Sequence, residues 1–263
     1  MKDWLSQETE ETAKLDIVVG LHSYNLAIYP LDTMIPGPNH SQATILAAGL
    51  ADLGLSLSPS VQGALLHYLG LLARWNHAYN LTAIRDPEEM VVKHVLDSLA
   101  VVPHLPIPPG GRLLDVGTGA GLPALPLALA RPDWQITALD SNRKKIRFVT
   151  QACLELALIN LTPVHCPVAD HHPSTLYNGI ISRAFSSVAD FLQGSCHLLG
   201  ETGQWFAMKG LYPSQELAIL PQGYQLRQAT QLTVPRLAGE RHLLILEKGY
   251  SSPKTGDAST PII

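Results

Sequence analysis

The strongest constraint on how this chain folds is a glycine-rich segment, Asp115-Val-Gly-Thr-Gly-Ala-Gly-Leu-Pro123. The apolar run before it, residues 112–116, predicts a buried strand, and residues 123–130 predict a helix with proline at its first position. The three glycines permit positive φ angles and let a ligand approach the backbone at the start of that helix. The segment therefore predicts a strand, loop and helix that bind a nucleotide-like cofactor, with a purely structural turn as the alternative.

A regular alternation of short β-rich runs and helical stretches follows this segment. The alternation predicts an α/β fold, in which crossover helices flank a mostly parallel sheet. Only a short turn separates the last two runs, so we expect these strands to pair antiparallel. The predicted strands are residues 112–116, 135–139, 163–166, 179–182, 204–208, 225–234 and 242–247.

Two helix start signals precede the sheet. Ser58 followed by Pro59 predicts an N-cap with proline at the first helical position, and Asp86 followed three residues later by Glu89 predicts a second cap. The first helix has one apolar face, and the second continues through residues 91–99. The residues predicted on the apolar face are Val61, Leu65, Tyr68, Leu69, Leu72 and Trp75.

These patterns divide the chain into four parts. Residues 41–110 form a helical subdomain with a proline-rich linker, and residues 111–248 form the cofactor-binding domain. We expect residues 1–40 to be a disordered arm, for which Met34 is an alternative start, and residues 249–263 to be a disordered tail.

Net charge gives a mixed indication about partners. The chain carries a formal charge of −4, which by itself argues against a nucleic-acid partner. Residues 1–33 account for all of it, since they hold six acids and two lysines and leave 16 acids and 16 bases elsewhere. The basic run Arg143-Lys-Lys-Ile-Arg147 therefore predicts either a nucleic-acid-binding face or a solvated helix.

Other features predict a cytoplasmic protein that acts as a monomer. We expect Cys153, Cys166 and Cys196 to be reduced thiols, because three cysteines cannot all pair. The N-terminus lacks a secretory signal pattern, and the longest apolar stretch is interrupted by glycines, prolines and Asp115, so no membrane span is predicted. His165, His171 and His172 are more typical of a surface loop than of a metal site.

Candidate ligand-binding residues lie where the predicted strands end, because open α/β sheets bind ligands there. Asp140 follows strand 2 and is placed to accept hydrogen bonds from ribose hydroxyls, or to act only at a helix N-terminus. Residues 168–170 follow strand 3, where a backbone N–H can hold an adenine, although Asp170 is equally suited to capping a turn. Arg183 follows strand 4 and points toward the predicted cleft.

Several enzyme classes are disfavoured because their motifs are absent from the sequence. The chain has no hydrolase nucleophile elbow, no zinc-protease helix motif and no phosphate-binding P-loop. Strand 4 does not end in the Asn/Asp-Pro-Pro-aromatic motif of amino-group methylation or in a cysteine for attack on a pyrimidine. The Asp-x-Gly-x-Gly-x-Gly spacing instead resembles the first motif of class I S-adenosylmethionine-dependent methyltransferases.

More specific segments resemble the ribosomal RNA small subunit methyltransferase G family, also called glucose-inhibited division protein B. The resemblance extends over about residues 45–248. It has two departures, Ala120 in place of a common proline and Ala169 in place of a frequent acid. The arm before Met34 has no counterpart in the family. The resemblance rests on Trp75-Asn-His-Ala-Tyr-Asn-Leu-Thr82 with its continuation to Met90, His94-Val-Leu-Asp-Ser98, the glycine-rich segment, Ile181-Ser-Arg-Ala-Phe185 and Lys209-Gly210.

The resemblance implies a seven-stranded class I methyltransferase sheet with an antiparallel last strand, with S-adenosylmethionine as methyl donor and no metal. It also implies methylation of N7 of guanine 527 in the decoding-region loop of 16S rRNA, as bare rRNA or in the 30S subunit. A methyltransferase of the same fold acting on a small molecule or protein is the alternative, and a non-catalytic RNA-binding factor is disfavoured. The implied cofactor contacts are Gly117, Leu122, Val168, Ala169 and Arg183, joined by Asp115, Gly119, Gly121 and Asp140.

Guanine N7 has a free lone pair, so the implied reaction needs positioning and water exclusion and no general base. Arg183 and Phe185 are candidates for positioning the guanine, although Phe185 is equally well explained as a core residue. His94 and Asp97, three apart on one helix face, are expected to order the cleft, bind RNA or pack together. The candidate RNA contacts are Arg74, Arg85, Lys93, His94, Arg143, Lys144, Lys145 and Arg147.

Overall fold

The computed structural model describes residues 40–183, 185 and 187–249. Nearly all of the arm predicted for residues 1–40 and of the tail predicted for residues 249–263 lies outside these described residues. The two exceptions are the residues that border them. His40 already begins a helix, and the Gly249 N–H donates to the Gly223 carbonyl.

The N-terminal half of the described chain is helical. Both predicted caps are confirmed, since Ser58 Oγ accepts from the Val61 N–H and Asp86 Oδ1 accepts from the Glu89 N–H. The predicted continuous helix over residues 91–99 is wrong in its middle, which adopts a π-helical turn. The helices are α1 (His40–Asp52), α2 (Pro59–Tyr79), α3 (Pro87–Met90), the π-helical turn (Val91–Leu96) and α4 (Asp97–Leu99).

The C-terminal half contains the predicted seven-stranded sheet. Its order is β3-β2-β1-β4-β5-β7-β6, in which β1 to β5 are parallel and β7 is antiparallel to both neighbours. The largest difference from the prediction is the start of β5, which lies five residues earlier than predicted. The sequence did not indicate this first half of the strand, because it is polar and shows no strand-like alternation. The strands are β1 (Arg112–Val116), β2 (Gln135–Asp140), β3 (Leu161–His165), β4 (Tyr177–Ser182), β5 (Leu199–Lys209), β6 (Tyr224–Gln231) and β7 (His242–Lys248).

Helices cover both faces of the sheet. Successive strand residues point to opposite faces, so Leu113 packs into one hydrophobic core and Leu114 into the other. The first core joins the N-terminal helices to α5 and α6, and the second lies under α7. The helices of this half are α5 (Ala124–Ala130), α6 (Arg143–Glu155), α7 (Val188–Ser195) and α8 (Ser214–Ala218).

The N-terminal helical segment, residues 40–105, shares its core with the sheet domain. Leu46, Tyr68 and Leu96 are fully buried in the same cluster as Phe148 of α6 and Phe206 of β5. A segment that buries its apolar residues against a sheet is held rigidly over it. The helical segment therefore forms a fixed wall above the ends of the strands.

Candidate functional site

The glycine loop, residues 117–123, connects β1 to α5 at the carboxyl edge of the sheet. Gly117, Gly119 and Gly121 all have positive φ angles, of 73°, 61° and 82°, as the sequence predicts. A Cβ atom on Gly121 would collide with Leu125, whereas one on Gly119 would meet nothing closer than a backbone oxygen at 3.9 Å. The space above Gly119 is therefore open to a ligand.

The carboxyl group of Asp115 in β1 lies below this loop and bonds to the first residue of α5. Its Oδ2 accepts from the Ala124 N–H at 3.1 Å, and α5 begins at Ala124, so Pro123 is the N-cap and not the predicted first helical residue. Burial raises the pKa of Asp115 to about 7, although the Thr118 hydroxyl, the Ala124 N–H and the charge of Arg183 act in the opposite direction. Its other oxygen, Oδ1, makes no well-formed hydrogen bond among the described residues, and the buried Thr118 hydroxyl lies close to the carboxyl group.

Asp140 ends β2 directly beside the glycine loop. Its Oδ2 accepts from the Gly119 N–H at 2.9 Å, and its Oδ1 accepts from the Asn142 N–H at 2.8 Å. Lys145 Nζ lies 3.6 Å from Oδ2. Each carboxylate oxygen keeps a second lone pair, so the geometry allows Asp140 both to brace the loop and to accept from a ribose hydroxyl.

The other predicted cofactor contacts border the same edge of the sheet. Leu122 is buried in the core beneath the glycine loop. Val168 and Ala169 belong to a 3-10 turn that follows β3, where Val168 packs toward α7 and Ala169 is exposed. The structure thus brings the glycine loop and Asp140 into direct contact, while residues 168–169 lie beyond the end of the neighbouring strand.

Tyr68 of α2 contacts the glycine loop and is missing from the predicted site. Its hydroxyl is buried and donates to the Ala120 carbonyl at 2.9 Å. Tyr68 appears in the sequence only as one member of the apolar face of α2, so nothing in the local pattern distinguishes it. This hydrogen bond ties the helical segment to the cofactor loop.

The Trp-Asn-x-x-Tyr-Asn-Leu-Thr segment forms the end of α2 and the turn after it. The Asn76 side chain donates from Nδ2 to the Thr82 carbonyl and accepts at Oδ1 from the Thr82 N–H, each at 2.9 Å. Asn80 ends the helix with a φ of 49°. Thr82 Oγ1 accepts from the Ile84 N–H and lies 2.9 Å from His94 Nε2. The segment therefore fixes the position of the His94 ring.

His94 is buried, with only 3% of its surface exposed. Burial lowers the pKa of His94 to about 4, and the nearby positive charge of Arg183 contributes to the decrease. A neutral, buried imidazole presents no charge to a phosphate at the surface. His94 is therefore not placed to contact a phosphate at the surface, and its role in RNA binding stays a prediction.

Arg183 follows β4 and reaches the helical segment. Its Nη1 donates to Asp97 Oδ2 at 3.2 Å and to the Lys93 carbonyl at 3.1 Å, and its side chain is 27% exposed. Arg241, just before β7, donates from Nε to Asp97 Oδ1 at 2.8 Å. Two guanidinium groups therefore share one buried carboxylate, and Arg241 is a residue that the sequence patterns did not single out.

Phe185 packs against the second core. Its ring centroid lies 5.2 Å from that of Phe191 in α7, and the residue is half-buried. This contact agrees with the core alternative for Phe185, and its role in positioning a guanine stays a prediction.

The predicted basic contacts differ in exposure. Arg143, Lys144 and Arg147 are exposed on the first turns of α6, and Arg74 and Arg85 are exposed on the helical segment. Trp75 next to Arg74 packs edge-on against Phe148 next to Arg147, with ring centroids 5.7 Å apart. The packing therefore places the end of α2 next to the start of α6.

Two half-buried lysines are already paired. Lys93 Nζ lies 3.0 Å from Glu89, and Lys145 Nζ lies near Asp140 as described above.

Among the described residues, no helix combines the length and apolarity that crossing a bilayer requires, and no three potential ligands are grouped as a metal ion would need. His165 instead lies 3.1 Å from the Ser141 carbonyl.

The residues at the glycine loop fit an adenosine-type cofactor. The loop leaves open space above Gly119, Asp140 offers acceptors beside it, and Asp115 lies buried beneath it. A cationic ligand would compensate that buried carboxyl, as the positive charge of Arg183 does in part. These features are compatible with a cationic adenosine cofactor such as S-adenosylmethionine.

Comparison with known proteins identifies the family of this chain. Residues 62–244 match the sequence family described as "rRNA small subunit methyltransferase G". Among solved structures, TrmN from Thermus thermophilus is 22% identical, with a TM-score of 0.49 over 66% of this chain and 53% of its own. Ribosomal RNA small subunit methyltransferase G of Pseudomonas paraeruginosa is 50% identical over 77% of this chain and 94% of its own, and that of Pseudomonas syringae pv. tomato is 48% identical over 80% and 98%. The chain therefore belongs to the rRNA small subunit methyltransferase G family.

Proposed function

We propose that this protein transfers the methyl group of S-adenosylmethionine to N7 of guanine 527 in the decoding-region loop of 16S rRNA. The observation that carries the proposal is the 50% identity to a relative named ribosomal RNA small subunit methyltransferase G, over 94% of that relative's length, with the cofactor loop intact. The substrate is the 16S rRNA itself or the 30S subunit that contains it, and the site of action is the cytoplasm.

The chemistry requires little of the side chains. S-adenosylmethionine supplies an electrophilic methyl group on a positively charged sulfur. Guanine N7 has a free lone pair, so no residue has to remove a proton before attack. The work of the chain is to place donor and acceptor in line and to exclude water. Asp140 and the glycine loop hold the adenosine end, and Arg183 follows β4, the strand next to β1.

RNA binding would use the exposed basic side chains of α2 and α6. Arg143, Lys144 and Arg147 contact phosphates in this proposal, together with Arg74 from α2. Phosphate contacts of this kind give affinity without sequence specificity and weaken as salt rises. Recognition of a single guanine in a loop requires that the base be unstacked and held in a pocket.

The decisive experiment is incubation of the purified protein with methyl-labelled cofactor and either 30S subunits or bare 16S rRNA. We expect label in at least one of these substrates, in a nucleotide that reductive aniline cleavage identifies as N7-methylguanine. Absence of label from both RNA substrates would contradict the proposal. Label at another atom would retain rRNA methylation but overturn the N7 assignment.

A matched pair of glycine variants tests the cofactor site. Gly119 and Gly223 both have positive φ angles and open space where a Cβ would lie, but only Gly119 belongs to the cofactor loop. Both Gly119→Ala and Gly223→Ala should therefore carry a similar backbone strain, of about 1–2 kcal/mol. Calorimetry should show a loss of cofactor affinity of at least tenfold for Gly119→Ala alone. Equal affinities in the two variants would refute this placement of the cofactor.

A further inference from the structure

A cavity of about 350 Å³ lies between the helical segment and the ends of β4, β5 and β7. Arg183 follows the last residue of β4, Lys209 ends β5, and His242 begins β7 opposite Lys209. Strands in a sheet are about 4.8 Å apart, and β4 is the neighbour of β1. The cavity is thus adjacent to the glycine loop, and Arg183 forms part of its wall.

The cavity carries about one net positive charge. Arg183 and Arg241 share the single carboxylate of Asp97, which leaves one guanidinium charge uncompensated. The two lysines in the wall are each paired, Lys93 with Glu89 at 3.0 Å and Lys209 with Glu216 at 3.0 Å. With histidines counted as neutral, this is the charge that complements one phosphodiester.

A buried polar atom in the wall lacks a well-formed hydrogen bond among the described residues. His94 lines the cavity, and its Nδ1 is buried without a well-formed hydrogen bond, with the Lys93 backbone beside the ring. Its Nε2 lies 2.9 Å from Thr82 Oγ1, and Asn76 holds Thr82 in place. Buried polar atoms are rarely left unsatisfied, so an unpartnered ring nitrogen in a cavity indicates a missing ligand.

We propose that this cavity holds the target guanosine, with Arg241 contacting its phosphate and His94 Nδ1 contacting the edge of its base. The inference rests on the proposed function and specifies where the substrate lies. Ligand pockets begin at about 300 Å³, so a cavity of this volume is large enough for one nucleotide. A purine held there lies beside the cofactor loop, at the same edge of the sheet.

Arg241→Gln tests the phosphate contact. We expect the KM for RNA to rise at least tenfold, while kcat changes less than threefold and the Kd for the cofactor changes less than twofold. Arg241→Lys keeps the charge and should recover part of the affinity, because an ammonium still attracts a phosphate. Arg227→Gln is the control, since Arg227 is an exposed arginine on β6 that pairs with Glu247.

His94→Asn tests the base contact, with thermal unfolding measured on the same samples. We expect kcat/KM for RNA to fall at least tenfold with cofactor affinity preserved. An unchanged KM in Arg241→Gln would overturn the proposal. Equal losses of RNA and cofactor affinity would also overturn it, because the cavity would then belong to the cofactor.

A smaller probe separates this inference from the proposed function. Guanosine 5′-monophosphate should show saturation transfer from the full-length protein, and the signal should decrease in both Arg241→Gln and His94→Asn. If the unaltered protein methylates no rRNA, the proposed function fails while loss of nucleotide binding in these variants still supports the cavity. Nucleotide binding that neither variant weakens would overturn the cavity assignment.

Discussion

Replacement of Asp115 by asparagine should change how stability depends on pH. Asp115 is completely buried, and its pKa is raised from 3.8 to about 7, chiefly by burial. Below pH 4 the carboxyl is neutral in both the folded and the unfolded chain. Between pH 4 and 7 it ionises in the unfolded chain first, so this residue destabilises the fold increasingly as pH rises. The difference between the two pKa values corresponds to about 4 kcal/mol.

Asp115→Asn removes this ionisation and retains an oxygen for the Ala124 N–H. The amide group introduces a constant cost of about 1–3 kcal/mol for a buried, unpaired donor, but that cost does not vary with pH. We therefore expect the free energy of unfolding of the variant, relative to the unaltered protein, to increase by about 3 kcal/mol between pH 4.5 and 8.

Urea denaturation at several pH values measures this difference. Asp133→Asn provides a control, because the Arg131 side chain holds the pKa of Asp133 below its usual range. Its contribution is present above pH 4 and is lost only as pH falls below that value. The control should give a constant difference between pH 5 and 8. A constant difference for Asp115→Asn as well would refute the argument that burial keeps this carboxyl neutral.

Three further predictions follow from the same contacts. Tyr68→Phe leaves the buried Ala120 carbonyl without its donor, so it should cost about 1–3 kcal/mol of stability and weaken cofactor binding. Tyr79→Phe on the same helix should have neither effect. Chemical denaturation measures the stability, and calorimetry measures the cofactor affinity. Binding of the cationic cofactor should lower the pKa of Asp115 and release protons near pH 6.5, which calorimetry in two buffers detects. Lys144→Gln should reduce the salt dependence of RNA affinity by a slope of about 1, with cofactor affinity unchanged.

Features set by neighbouring residues could be predicted from the sequence. The positive φ of Gly119 follows from a glycine between a strand and a helix, and the caps at Ser58 and Asp86 depend on residues three positions away. The antiparallel β7 follows from a connection too short for a helix. Pro163 lies in β3, and the structure places that strand at the sheet edge, where proline is tolerated.

Features set by packing between distant segments could not be predicted in this way. Arg241 and Asp97 are 144 positions apart, and no periodicity relates them. Tyr68 is one aromatic residue on an apolar helix face until the fold places its hydroxyl against Ala120. His94 could be assigned neither to the surface nor to the interior, because its burial depends on how the π-helical turn packs above the sheet.

Arg183 connects the two parts of the proposed site. Its charge lowers the pKa of Asp115 beneath the cofactor loop and also that of His94 in the wall of the cavity. Its guanidinium group is held by Asp97, which Arg241 also binds, so displacement of either arginine alters the charge that the other one presents. Occupation of the cofactor loop should therefore change the affinity of the cavity for a nucleotide. By thermodynamic linkage, RNA bound in the cavity changes cofactor affinity by the same factor.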